Sequence, residues 1–344
     1  MYCNFVLDER LSTPVYRQLM NQVEQAILSG EIGSGECLPS MNELAATLEI
    51  SKETVKKAYS YLRGKGLIRA TQGKGFFVAD KESGRKPRIL ILFDKLSDSK
   101  QVLFNSFSAA IGDRAEVTIQ LHNQNLDLLR YYIDENLNLY DYFVITPHFP
   151  LDVASRRNVA LQLRRIPDRK LILLDHNPEG VPGKYGAVYQ DFENDAYNGL
   201  KQGLRKLKAS GKLNVIIEMS SLYHDEVAGA VRRFCRDEGI DLKFEADITP
   251  DIIRERETYL LLCGQIDLGL ASLVKAAQEK KMKPGRDFNI ISYNESPVND
   301  IILNGLTTIS TDFAEMGRLG AEMIINQDFR KVKCPFVMTR RKTF

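Results

Sequence analysis

The most concentrated chemistry in this sequence lies between Ser51 and Gly75. There Lys52, Lys56, Lys57, Arg63, Lys65, Arg69 and Lys74 face one acidic residue, Glu53, a local net charge of +6 in a chain whose overall charge is +2. Clustered ammonium groups attract a polyanion, because each one that meets a nucleic-acid phosphate releases condensed counterions. They serve that end only if their helix is held with the basic face outward. The spacing provides this: Val55, Ala58, Tyr59 and Leu62 recur at i, i+3, i+4 and i+7 and define a buried stripe, leaving Glu53, Lys56, Lys57 and Ser60 outward. Lys52 and Lys56 are then placed to reach guanine edges or phosphates, and Thr54 with the helix N-terminal amides to reach a phosphate. An ordinary solvated basic face is the competing reading, and the order of the surrounding elements decides against it.

Those elements are legible. Val15, Leu19, Val23, Ala26 and Ile27 lie on one face of a helix over Pro14–Leu28, which Gly30 and Gly33 stop. Leu38-Pro39-Ser40 gives a restricted turn and an N-cap, and Glu43 completes a capping box that opens a second helix over about Met41–Leu48. Ser51 caps the third, Lys52–Arg63. Leu67–Ala70 then meets Phe76–Ala79 across a glycine-rich tip holding Gln72, Gly73 and Lys74, a hairpin wing able to lie close to a phosphate or in the minor groove. Helix, helix and wing in this order predict a winged helix-turn-helix whose third helix enters the major groove.

From Pro14 to Val78 the sequence closely resembles the GntR-type winged-helix domain. The resemblance is carried by Leu38-Pro39-Ser40, Glu43-Leu44-Ala45, Ile50-Ser51-Lys52, Thr54-Val55, Ala58-Tyr59, Leu62, Gly66-Leu67-Ile68 and Gly73-Lys74-Gly75-Phe76-Phe77-Val78. It implies a DNA-contacting set of Ser40, Asn42, Ser51, Lys52, Thr54, Lys56, Lys57, Gln72, Gly73 and Lys74. Asn42, Lys52 and Lys56 stand where that family usually has arginine, and Glu53 where a small hydroxyl residue is common. Lysine is a point charge without arginine's bidentate fork, so the resemblance implies the docking mode but not the base sequence read.

At 344 residues, 44% hydrophobic and 27% charged, the chain is long enough for more than one domain and ordinary for a soluble protein. No stretch approaches the roughly 18 apolar residues of a membrane helix, and the N-terminus lacks secretory character, so a cytoplasmic location without membrane partners is expected. Residues 80–88 are polar and aperiodic and read as a linker between a DNA-binding domain at 1–79 and an effector-binding and dimerisation domain at 89–344. The second domain alternates apolar strand-like runs with amphipathic helices, the signature of an α/β fold with parallel sheets. The runs are Arg88–Asp94, Glu116–Leu121, Tyr142–Thr146, Leu171–Asp175, Val215–Glu218, Leu260–Cys263 and Asn289–Tyr293.

Ligands in such folds bind beyond the carboxyl ends of strands. This singles out Ser97, Ser99, His148 and Asp175 as hydrogen-bonding candidates, and Phe104 or Tyr293 as a stacking platform for a sugar. Hydroxyls, amides and carboxylates without an evident anion clamp suit a neutral polyol. Five scattered cysteines (Cys3, Cys37, Cys235, Cys263, Cys334) read as reduced packing thiols, and no metal site or cofactor is expected. The phosphate loop, the nucleophile elbow and the HExxH metal helix are all missing, and His224-Asp225-Glu226 points in three directions, so no enzyme is expected.

From about Arg88 to the C-terminus the chain resembles the two-lobed sugar-binding domain of the LacI/periplasmic-binding-protein type. Arg88–Asp94, Tyr142–Pro147, Val188–Leu200 and above all Leu306-Thr307-Thr308-Ile309 with Met316-Gly317 and Ala321 carry it. That resemblance adds Asp191, His224, Glu226, Gln265 and Asn294 as effector-pocket candidates. The combination resembles the arabinose-repressor branch of GntR regulators. It implies a homodimer on operator DNA, a repressor of a carbohydrate-catabolism operon released by a monosaccharide such as a pentose or deoxyhexose. The alternatives are an activator with the same sensor, or a sugar-binding protein without a DNA function.

Overall fold

The computed structural model of the chain describes residues 5–8, 13–71, 73–79, 86–217, 222–245, 247–262 and 267–344. The chain divides into two compact units, Met1–Arg85 and Lys86–Phe344.

The first unit holds α1 (Val15–Ser29), β1 (Cys37–Leu38), α2 (Met41–Thr47), α3 (Lys52–Gly64), β2 (Ile68–Thr71) and β3 (Gly75–Val78). Its three strands pair antiparallel in the order β1-β3-β2. The capping box forms as the sequence predicts: Glu43 N donates to Ser40 Oγ at 3.2 Å, and Ser40 N donates to Glu43 Oε2 at 2.8 Å. Val55, Ala58, Tyr59 and Leu62 are buried against Leu19, Val23 and Leu44. Tyr59 also donates its hydroxyl to Pro39 O at 2.8 Å, which ties α3 to the turn before α2 and helps fix the angle between the helices. An extended segment is clamped on α1, with Gln22 bonding both backbone groups of Val6 and Gln18 those of Asp8. Strand β1 was not anticipated, since two residues with one inward side chain leave no periodic signal.

The second unit contains two six-stranded sheets. The first lobe has order β14-β8-β7-β6-β4-β5, from β4 (Arg88–Phe93), β5 (Glu116–Leu121), β6 (Tyr142–Ile145), β7 (Leu171–Asp175), β8 (Gly186–Tyr189) and β14 (Lys331–Lys333), all parallel. The second lobe has order β10-β9-β11-β12-β13-β15, from β9 (Lys212–Ile217), β10 (Asp241–Glu245), β11 (Thr258–Leu262), β12 (Asn289–Tyr293), β13 (Thr307–Thr311) and the antiparallel β15 (Phe336–Thr339). Strands covered on both faces read as unbroken apolar runs, which is why β4, β6, β7 and β12 stood out. Strands β8, β10, β14 and β15 did not, being short, polar or built on small residues such as Gly186. Arg88, expected to end the linker, already pairs with Glu116 in the ladder, because the parallel sheet captures its backbone; residues 80–85 lie outside the described residues.

Helices α4 (Asp98–Ile111), α5 (Leu126–Asn136), α6 (Val153–Leu163) and α11 (Phe313–Asn326) cover the first lobe, and α7 (Asp195–Gln202), α8 (Leu204–Ser210), α9 (His224–Glu238) and α10 (Asp267–Glu279) belong to the second. Helix α11 presses closely on α4 because Gly317 has no side chain: a Cβ there would lie 2.2 Å from Leu103 O. The chain passes between lobes after β8, after β13 and after β14. These crossings bond to each other, Asp312 N to Pro335 O at 2.9 Å and Cys334 N to Tyr189 O at 2.8 Å, and form a hinge. Cys334 is buried in this hinge, and burial pushes its thiol far above the ordinary range.

Candidate nucleic-acid face and effector cavity

On the first unit, Asn42, Ser51, Lys52, Lys56, Lys57, Gly73 and Lys74 are exposed, as a docking face requires. Their local bonds differ. Ser51 Oγ caps α3 by accepting from Thr54 N at 3.1 Å and lies 2.8 Å from Thr54 Oγ1, so both hydroxyls are engaged in the cap. Ser40 is likewise held in its capping box. Lys56 pairs with Glu53 at 3.2 Å, while Lys57 Nζ lies 4.2 Å above the Tyr16 ring centroid, turned to α1. The ammonium groups of Lys52 and Lys74 have no hydrogen-bond or ion-pair partner among the described residues, and Gly73, at φ 74°, allows the tight wing tip that carries Lys74. Gln72 lies outside the described residues.

In the second unit one cavity of about 360 Å³ opens between the lobes at the carboxyl ends of their strands. The first lobe contributes Asp94 just after β4, Ser97, Ser99 and Lys100 around the start of α4, His148 after β6, and Asp175 at the end of β7. Gln190 and Phe192 come from the crossing after β8, and Phe313 from the start of α11. The second lobe adds Tyr223, His224, Tyr293 and Asn294. Two of these residues occupy the left-handed region without being glycine: Asp175 at φ 75° and Asn294 at φ 71°. Strain of this kind, at the ends of strands from opposite lobes, aims both side chains at one site.

The floor is a buried polar network. Lys100 Nζ lies 3.3 Å from Asp94 Oδ1 and bonds Asp175 Oδ2, and both carboxylates are buried with it. His148 Nε2 lies 2.8 Å from Asp175 Oδ2 and, since a carboxylate only accepts, donates to it, while Nδ1 lies 2.9 Å from the Tyr223 hydroxyl. Gln190 Nε2 bonds Asp175 Oδ1, and its Oε1 accepts from Thr311 Oγ1 at 2.7 Å. Burial opposes charge on Asp175, but Lys100 and His148 outweigh it and hold the carboxyl well below the usual range. Burial likewise opposes the Lys100 charge, and Asp175 and Asp94 outweigh it to raise its pKa. Above the floor, Phe192 and Tyr223 stack with centroids 3.8 Å apart and planes at 4°, and His176 sits 5.3 Å from Tyr223. Burial and then the nearby His148 push His176 down to about 3, and burial lowers His122 to about 4, so both rings are neutral near pH 7.

Of the residues the sequence singled out, Ser97, Ser99, His148, Asp175, His224, Tyr293 and Asn294 line this cavity. Phe104 does not, since the helical pitch of α4 turns it into the apolar packing around Leu103 and Phe107. Asp191 lies in the turn before α7, where its carboxylate accepts from Asn194 Nδ2 at 2.9 Å and pairs with Lys333 at 2.8 Å, and Glu226, in the first turn of α9, is off the cavity wall. Gln265 lies outside the described residues. Sequence reasoning missed Asp94, Lys100, Gln190, Phe192 and Tyr223. Asp94 follows a strand as Asp175 ends one, so the same rule finds it; Lys100 carries no local signal of burial. Among the described residues, no group of three or more His, Cys, Asp or Glu is arranged to hold a metal ion, and no helix is long and apolar enough to cross a membrane.

The two units define an architecture that joins a GntR-type helix-turn-helix to a LacI-type two-lobed α/β fold. Residues 15–78 match the model of the gntR family of bacterial regulatory proteins. The transcriptional repressor YtrA of Bacillus subtilis is 36% identical over 74 residues, 22% of this chain and 57% of that protein. Matches to four such regulators of that bacterium span between 15% and 58% of their lengths. Among solved structures, a lac repressor dimer bound to operator and the anti-inducer ONPF superposes with a TM-score of 0.58 at 15% identity, covering 76% of this chain and 95% of that one. The Escherichia coli trehalose repressor superposes with a TM-score of 0.57 at 15% identity, covering 74% and 100%. At these identities the likeness is one of fold.

Proposed function

We propose that this protein is a cytoplasmic, homodimeric transcriptional repressor whose first unit holds operator DNA and whose second unit senses a monosaccharide such as a pentose or deoxyhexose. The observation that carries this reading is the pairing, in one chain, of an exposed basic recognition face with a two-lobed hinge enclosing a polar, aromatic-walled cavity. A sugar offers such a cavity hydroxyls for its carboxylates and amides and an apolar face for its rings. Closure of the lobes on a sugar needs a coupling of only about 1–3 kcal/mol to change DNA occupancy roughly 5- to 150-fold.

The test is a titration of the full chain with labelled DNA from upstream of its own gene, with and without each sugar of a pentose, hexose and deoxyhexose panel. Release of the DNA by one sugar is the expected result. Tighter binding with sugar would replace repression by activation, and DNA binding indifferent to every sugar would remove the sensor from the proposal.

A further inference from the structure

The cavity floor is built around an ammonium group with no charge to spare and one hydrogen bond to spare. Lys100 is 4% exposed, in the first turn of α4, and still reaches the cavity. Of its three N–H donors, one is directed to Asp94 and one to Asp175, and the third has no partner among the described residues. Both carboxylate oxygens of Asp175 are engaged, Oδ2 by Lys100 and His148 and Oδ1 by Gln190. Among the described residues only one oxygen of Asp94 is. Its Oδ1 accepts from Thr146 Oγ1 at 2.8 Å and faces Lys100, while Oδ2 has no partner among the described residues. One N–H and one carboxylate oxygen are therefore left over on adjacent groups of the same wall.

Two buried carboxylates, Asp94 and Asp175, share the ammonium of Lys100, and Lys95, the other lysine of the lining, is exposed. An anionic ligand would bring its charge to two buried carboxylates whose countercharge is already committed, and would lose its hydration without replacement. A hydroxyl pair has the opposite character, since each hydroxyl both donates and accepts.

We propose that Lys100 and Asp94 form a subsite for an uncharged vicinal diol, in which the free N–H of Lys100 donates to one hydroxyl oxygen and Asp94 Oδ2 accepts from the neighbouring hydroxyl. The subsite rests on reading the cavity as a sugar sensor, and it narrows that reading: free sugars are preferred as effectors over sugar phosphates and sugar acids, whose anionic groups have no place at Lys100 and Asp94. Asp175 acts differently from Asp94. It positions Lys100 and His148 and makes no contact of its own with the diol.

Calorimetric titration of the full chain with D-ribose, L-arabinose, D-xylose, L-fucose, L-rhamnose and D-glucose, and with ribose 5-phosphate, glucose 6-phosphate and glucuronate, tests this directly. One or more free sugars should bind, and no charged probe should bind within about 100-fold of them. Asp94→Asn, which leaves Lys100 paired with Asp175, should weaken the bound sugar roughly 10- to 100-fold, the loss expected of a hydrogen bond to a charged group. Lys100→Met removes the donor and leaves two buried carboxylates without their ammonium, so it should weaken the bound sugar at least as much as Asp94→Asn does. Asp94→Asn keeps the test decisive if Lys100→Met does not fold. A phosphate or glucuronate that binds as tightly as a free sugar, or an unchanged affinity in Asp94→Asn, overturns the subsite while leaving the sensor. Absence of binding by every probe overturns the sensor reading and the subsite with it.

Discussion

The two units use the same side chain in opposite ways. Lys52 and Lys74 stand exposed and unpartnered among the described residues of the first unit, whereas Lys100 in the second is buried between two carboxylates. An exposed ammonium is hydrated and costs little to leave unpaired, so it is available to any phosphate and its effect is screened by salt. A buried one persists only with its countercharges, and those partners convert it from a long-range attractor into a local, directional donor. Charge on the first unit confers attraction; in the second it confers selectivity.

The comparison is exposed most severely to acid. His122, buried, and His176, half-buried, are uncharged near pH 7 in the second unit, with pKa values lowered to about 4 and about 3, and the first unit contains no histidine. A base whose folded pKa lies below its unfolded 6.5 stabilises fully above pH 6.5 and loses that stability as pH falls toward the folded value. Each ring should cost the fold about 1.4 kcal/mol per pH unit below 6.5. Calorimetric melts from pH 7 to pH 4.5 should show the second unit losing several kcal/mol while the first changes little, and His176→Asn should lessen the slope. Equal acid sensitivity of both units would break the contrast.

The next effect concerns the exposed lysines. Lys52→Ala with Lys74→Ala should weaken binding to a mixed-sequence duplex by about 100-fold at low salt and lower the slope of log K against log salt by about 0.9 for each phosphate no longer neutralised. Lys57→Ala should do much less, because Lys57 is drawn over Tyr16. Anisotropy titrations at several salt concentrations decide this, and a larger effect of Lys57→Ala would move the docking face. The smallest effect is local: Ser40→Ala removes the capping bond to Glu43 N and should destabilise the first unit by about 1 kcal/mol with no change in the melting of the second.

The contrast also explains what was legible. In the first unit the informative residues act through neighbours three or four positions away: the Ser40–Glu43 box, the Val55–Leu62 stripe, the glycine-rich wing tip. Local spacing therefore determined the helices, their buried faces and which lysines point outward. Apolar runs did the same for the main strands of both sheets, and polar strand ends singled out Asp175 and His148, which line the cavity.

The tertiary structure alone decided the remainder of the cavity. Lys100 looks like any helical surface lysine until β7 places Asp175, 75 positions later, against its ammonium group. Tyr223 finds His148 across the same separation, from the other lobe. Phe104 and Asp191, equally plausible in sequence, were assigned to the apolar packing of the first lobe and to an ion pair by the rotation of α4 and by Lys333. Burial and charge compensation depend on which distant groups the fold brings within a few ångströms, and short-range spacing carries no record of that.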